Sequence, residues 1–297
     1  MNNHVKGIIL TPFNILYKIN PVLCTKIMFR LKIGQRLDLN NPITFNQKLQ
    51  WIKLYDKEPL KEKCVDKYTV REYVESSGCP ELLNELIWEG YEPENIPFDK
   101  LPKKCVIKAT HGQGMNLICK DSSKLDRNET IKLLKKWLKE KYLPCYGESF
   151  YGKVRPRIII EKFLGDENGA EPADYKIFCF NGEPKMVDVH TGRFTNHKRN
   201  FYDLDWNVIK GVSIKYPADE NEIVPKPEEL ELMLMYAKKL SKPFIHVRVD
   251  FYIVNHKVYF GELTFTNGAG FDPINPHEFD VQLGSYMTLP IDSKKGN

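Results

Sequence analysis

The alternation of apolar and polar residues is sharpest between His246 and Leu263. Val247, Val249 and Phe251 interleave with Arg248, Asp250 and Tyr252, the period of a half-buried strand. Asn255-His256 then makes a tight connection, and Lys257–Leu263 runs on as a second strand. Short apolar runs predict strands at Cys105–His111, Met115–Lys120, Arg157–Leu164, Asp174–Phe180 and Pro184–Val189, with a strand or short buried segment at Leu82–Trp88. Asn181-Gly182 is the hairpin signal between two of them. A helical period takes over elsewhere. Phe45–Tyr55 places Leu49 and Ile52 inward, and Thr44 with Gln47 three residues on forms a capping-box pattern at its start. Asp66–Glu75 carries the stripe Val70 and Val74 and stops at Gly78. Glu129–Tyr142 and Glu228–Lys239 are amphipathic, with Ile131, Leu134 and Leu138 facing in on the first. Arg193–Asp203 is basic and aromatic with too little period to be core, so it predicts a loop. Phe271–Pro290 shows little regular pattern.

The chain has 297 residues, 42% hydrophobic and 28% charged, enough for one large domain or two to three lobes. A net charge of +5 suits an anionic substrate without calling for nucleic acid. Seven scattered cysteines with no C-x-x-C pair support neither a disulfide framework nor a zinc site, and reduced thiols in the cytoplasm are the simple expectation. The segment Lys6–Ile33 is rich in Ile and Leu, but Pro12 and Pro21 interrupt it and no run reaches membrane-spanning length. It reads as neither signal peptide nor anchor. Packing on the domain is expected, and the second reading is a basic amphipathic segment resting on the inner face of an anionic membrane.

The central hairpin also carries chemistry. Arg248 and Asp250, two apart on one strand, share a face, and if the two strands are antiparallel neighbours Glu262 can face Asp250 across the ladder. Two facing carboxylates repel unless a cation lies between them, so the pair beside an arginine suits Mg²⁺ and phosphate. A solvated sheet face with an Arg–Asp pair is the other reading. Farther back, Lys108 precedes Gly112-Gln113-Gly114 between two strands. Such a turn can fold over a polyphosphate, because glycine lets backbone N–H groups approach and the lysine adds charge. It lacks the G-K-[ST] of a P-loop, and an ordinary hairpin fits it as well. The basic stretch from Arg193 to Asp203 can hold an anionic group or be a solvated loop.

Taken in order, NNPITFNQKLQWIKLYD, VDKYTVREYV, CVIKATHGQG, RIIIEKFL, DYKIFCFNGEP, RFTNHKRNFYDLDWN, VRVDFY and FGELTF resemble the TupA-like ATP-grasp proteins of bacterial polysaccharide and teichuronopeptide gene clusters, from about Leu37 to Pro290. The resemblance implies an α+β, ATP-grasp fold, in which two α+β lobes clasp ATP between antiparallel sheets. It implies a helical N-terminal segment over 1–60, the start of the ATP-grasp region over 61–102, a lid over 103–164 and a catalytic subdomain over 165–297. It implies that Lys67 and Lys108 reach ATP phosphates and that Gly112–Gly114 closes over them. Glu161, Lys162 and Leu164 would bracket adenine, and Asp166, Glu167 or Asn168 would take the ribose. Asp250 and Glu262 would hold Mg²⁺, Arg248 would stabilise an acyl phosphate or tetrahedral intermediate, and Lys176 would bind phosphate or the substrate carboxylate. Arg193, His197 and Arg199 would bind the acceptor. One departure stands out: Thr264 occupies the position where the superfamily usually has Asn, so that Asn267 replaces it or one metal is held more weakly. The implied activity is ATP-dependent carboxylate–amine ligation through an acyl phosphate, joining an amino acid or other amine to a uronic-acid-containing glycan or its precursor. A glycosyltransferase, a sugar kinase on the same ATP site and a non-catalytic nucleotide-binding module are the rival readings.

Overall fold

A computed structural model describes residues 7, 9–165, 172–191, 198–218 and 223–291. The helices are α1 (Thr11–Ile19), α2 (Pro21–Ile33), α3 (Phe45–Tyr55), α4 (Leu60–Cys64), α5 (Val70–Ser76), α6 (Arg127–Leu138), α7 (Leu230–Ser241) and α8 (His277–Ser285). Local chemistry sets their ends. Asn20 caps α2 by accepting from the Leu23 N–H, with Pro21 at the first helical position. Thr44 and Gln47 form the expected capping box on α3. The helix predicted from Asp66 begins instead at Val70, because the Asp66 carboxylate accepts from the Tyr68 and Thr69 N–H groups and holds a turn there. The helix predicted to reach Tyr142 stops at Leu138. The last stretch, without visible period, contains α8.

The strands are β1 (Leu86–Gly90), β2 (Cys105–Ala109), β3 (Asn116–Cys119), β4 (Ile158–Lys162), β5 (Asp174–Phe180), β6 (Glu183–Thr191), β7 (Lys198–Tyr202), β8 (Ser213–Ile214), β9 (Tyr216–Pro217), β10 (His246–Val254), β11 (Lys257–Thr264) and β12 (Ile274–Asn275). They form an antiparallel four-stranded sheet, β1-β4-β2-β3, an antiparallel five-stranded sheet, β11-β10-β5-β6-β7, and a small β12-β8-β9 sheet. The four-stranded sheet takes in Leu86–Gly90, which lies before the 102/103 boundary drawn from the sequence.

Part of the stretch predicted as a loop is strand. Residues 198–202 form β7, the edge of the five-stranded sheet, with Phe201 and Tyr202 fully buried. Phe201 packs edge-on against Phe279, and Tyr202 stacks on Trp206 with centroids 4.4 Å apart. Both faces of this edge are covered, so its residues show no inside–outside alternation to read.

Each face of the five-stranded sheet has a distinct neighbour. One packs Ile177, Val187, Val247, Val249 and Phe251 against α5 and α7. The other is divided along its length. Its apolar half, with Phe178, Phe180, Met186 and Phe201, lies under α3 and α8. His246 joins it, 4.9 Å edge-on from the Phe45 ring. On its charged half Lys176, Arg248 and Glu262 line a cleft, with Asp188 and Asp250 buried beside them. Lys108 and Glu161 of the four-stranded sheet line the same cleft, while Ile107, Ile158 and Ile160 pack on the far face against Leu134 of α6.

Candidate active site

The cleft has a volume of about 390 Å³ and opens into a smaller recess of about 250 Å³. Val106, Ile118, Phe163, Leu164, Pro172 and Tyr252 give the recess apolar walls, and Lys108, Gly114, Asn116 and Tyr252 line both spaces. A flat apolar slot leading into a cationic cleft suits a base followed by phosphates.

Strand register brings the cationic side together. Lys108 sits opposite Ile159, so Lys108 and Glu161 share one face of neighbouring strands. The Lys108 ammonium donates to Glu161 at 2.7 Å, and Arg71 of α5 reaches the other carboxylate oxygen at 3.3 Å. Lys67, in the turn before α5, donates to the Gly112 carbonyl at 2.5 Å and ties that turn to the glycine loop. Burial pushes the Lys67 ammonium below its ordinary value, against the pull of Glu262. Gly114 turns the loop with φ +71°, a conformation that favours glycine. Gln113 and Gly114 line the main cleft, and Gly112 lies at its side.

The central hairpin is antiparallel, and Asp250 lies opposite Glu262. Phe251 pairs with Phe260, so Gly261 is an extra residue in β11. This bulge leaves Phe260 in the core and turns Glu262 to the cleft. The two carboxylates differ in setting. Asp250 is almost fully buried and accepts from Arg248 Nε and Nη2 and from Lys176 Nζ, each at 2.6 Å. Burial raises its pKa, but the Arg248 and Lys176 charges outweigh that and hold it below the ordinary carboxylate range. Burial also opposes the Arg248 charge, yet Asp250 beside it keeps the guanidinium firmly protonated. Lys176 also meets Asp174 at 2.5 Å. The Glu262 side chain is 41% exposed and meets Arg248 only at 3.7 Å. It is therefore the more open carboxylate for a cation.

The threonine at the usual asparagine position is already engaged: its hydroxyl accepts from Arg248 at 3.1 Å. Asn267 also lines the cleft, beside His246. His246 donates from Nδ1 to the Cys179 carbonyl at 2.9 Å, and burial lowers its pKa to about 4, so the ring is neutral and Nε2 is an acceptor. Asn267 Oδ1 lies 3.2 Å from Nε2, acceptor against acceptor for a neutral ring, so turning the amide over to bring its nitrogen to the ring would satisfy both groups. Nδ2 is buried with no hydrogen-bond partner as placed, and that turn would put the amide oxygen there for a ligand.

Other expected site residues fall differently. The Lys162 side chain points outward, 63% exposed, while its carbonyl accepts from Asn84 Nδ2 at 2.8 Å. Leu164 lines the recess. Arg199 reaches the cleft edge, but its guanidinium is bound to Asp188, with Nη2 2.6 Å from the carboxylate, and to the Ile214 carbonyl. Arg193, His197, Asp166, Glu167 and Asn168 lie outside the described residues. Sequence reasoning missed Arg71, Asn84, Asp188 and His190. Arg71 follows Lys67 by four residues and was open to notice, as was the alternation Asp188, His190 along β6. Asn84 carries no local signal.

A family model described as TupA-like ATPgrasp matches residues 47–288, most of the chain. The chain belongs to that family. The matched range includes the cleft residues from Lys67 to Asn267. No curated protein matches the chain. Among solved structures, it is similar to the D-alanine–D-alanine ligase from Bacillus anthracis complexed with ATP, at 17% identity and a TM-score of 0.39, covering 68% of this chain and 54% of that one. It is similar to the L-amino acid ligase from Bacillus licheniformis at 15% identity and a TM-score of 0.43, covering 76% and 49%. For the D-alanine–D-alanine ligase from Helicobacter pylori the values are 14%, 0.42, 82% and 69%. The chain thus spans about half the length of the first two. The TupA-like ATPgrasp assignment rests on the family match and on the paired antiparallel sheets, not on these distant likenesses.

Proposed function

We propose that the chain is an ATP-dependent carboxylate–amine ligase, with a uronic-acid-containing glycan or its precursor as the carboxylate and an amino acid or other amine as the nucleophile. One observation carries this reading. Lys67, Lys108, Lys176 and Arg248 converge on a cleft that joins an apolar recess and holds an open carboxylate, Glu262. The base of ATP would fill the recess, sharing the Lys162 carbonyl with Asn84. Lys108 and Lys67 would meet the phosphates. Mg²⁺, when bound by Glu262, Asp250 and the Asn267 oxygen, would neutralise charge on the β- and γ-phosphates.

The chemistry then asks for position and charge rather than a protein nucleophile. A substrate carboxylate oxygen attacks the γ-phosphorus as the bond to ADP breaks, giving an acyl phosphate. The amine attacks the carbonyl carbon, the C–N bond forms, and inorganic phosphate leaves with the electron pair of the C–O bond. Arg248, aimed by Asp250, would stabilise the oxyanion of that second step. Strands of the cleft are antiparallel, which does not favour the doubly wound sheet of a nucleotide-sugar glycosyltransferase. The test is ADP and phosphate release with uronic acids, in the presence and absence of amines. Phosphate release that needs both substrates supports ligation. ADP formation with hydroxyl acceptors and no phosphate release would replace it with a kinase.

A further inference from the structure

The positive charge of the chain is concentrated at one place. From Met1 to Leu37 there are six cations, Lys6, Lys18, Lys26, Arg30, Lys32 and Arg36, and no Asp or Glu. Set against the net +5 of the whole chain, they leave the remainder at −1. The same region exposes apolar surface. Ile9, Ile15, Ile19, Leu23 and Leu31 are 45–77% exposed and make up half of the exposed large hydrophobics among the described residues.

Helix geometry puts these two features on one side. In α2, Cys24, Met28 and Phe29 are buried against the domain, which turns Leu23, Lys26, Arg30 and Leu31 outward. In α1, Phe13, Leu16 and Tyr17 pack on the same core, and Ile15, Lys18 and Ile19 are exposed. The helices have nine and 13 residues, and no helix of the described residues is long and apolar enough to cross a membrane.

We infer that the outward side of α1 and α2 docks on an anionic lipid surface, with the Ile and Leu tips in the headgroup boundary and the Lys and Arg side chains on lipid phosphates. Charge decides between occupants. A second copy docked through the same face would bring its own Lys18, Lys26 and Arg30 against these, with no acid in the segment to offset them. An anionic bilayer meets both the charge and the apolar tips. The inference is independent of the proposed ligase activity.

The test is co-sedimentation of the full chain with vesicles of phosphatidylcholine alone or mixed with phosphatidylglycerol, at low and high salt. Binding to the mixed vesicles only, weakened by salt, is expected. Lys26→Gln should weaken it about fivefold, the usual worth of one basic residue at such a surface. Ile19→Glu with Leu31→Glu should abolish it while leaving the circular dichroism and melting temperature unchanged, since both side chains are exposed. Equal binding to both vesicle types, or full binding by the double variant, would overturn the inference. So would a lipid-free dimer that Ile19→Glu disperses, because a second copy would then be the occupant.

Discussion

Asp250 and Glu262 face each other across one ladder, yet substituting them should have opposite consequences. Asp250 is almost fully buried and is the counter-charge of two buried cations. Asp250→Asn leaves Lys176 and Arg248 undercompensated, so it should lower stability by about 3–5 kcal/mol, the cost of breaking a buried pair, as read by urea unfolding. Glu262 is partly exposed and makes only a 3.7 Å contact. Glu262→Gln should unfold as the wild type does. It should nevertheless lose more than about 100-fold of Mg²⁺-dependent turnover, since even groups behind metal ligands are worth about 10–100-fold. Turnover by Glu262→Gln at the wild-type rate would remove Glu262 from the metal site. That the two strands pair was legible from the period of two and the tight turn; that Glu262 rather than Gly261 meets Asp250 was not, because the bulge at Gly261 shifts the register by one. Nor was the unequal burial, because Lys176 comes from a strand some seventy residues earlier.

Among the elements, α3 does more than cover a sheet. Gln50 donates to the Ala269 and Gly270 carbonyls, Lys53 donates to those of Tyr146 and Ala269, and Asn46 donates to Asp272. The helix thus fixes the loop that follows β11 and carries Asn267. Burial lowers the Lys53 pKa to about 7 from an ordinary 10.5, opposed by Glu148. Between those two values the unfolded chain holds a proton that the folded chain has lost, so stability should rise with pH from about 7 toward 10.5. Lys53→Met should flatten that rise, which urea midpoints across the range would show. An unchanged pH dependence would mean that Lys53 is not the titrating group. Helix α3 was readable from its capping box and stripe. What it touches was not, because most of its partners lie more than two hundred residues away. Tertiary contacts also hid β7: Asp188, Phe279 and Trp206 make a buried strand of a segment whose own charges suggest solvent.

At the scale of the whole molecule, the site exists only when the two large sheets face each other. Lys108 and Glu161 belong to one, Lys176, Arg248 and Glu262 to the other. Ordered motifs made both halves recognisable in the sequence; the cleft between them is a product of packing. A ligand that spans it should stabilise the whole fold. ATP with Mg²⁺ should therefore raise the melting temperature by several degrees, about 2.7 kcal/mol at roughly a hundred-fold excess over Kd, and Lys108→Ala should blunt the rise. No response to ATP would count against nucleotide in the cleft. The bonds from α3 to the loop after β11 also set a schedule. Synthesis delivers α3 long before its acceptors, with Asn46 and Asp272 separated by 226 residues. Until the residues after β11 are made, Gln50 has neither of its acceptors and Lys53 has only the Tyr146 carbonyl. The loop after β11 is therefore a late product of folding, set when the early and late parts of the chain finally meet.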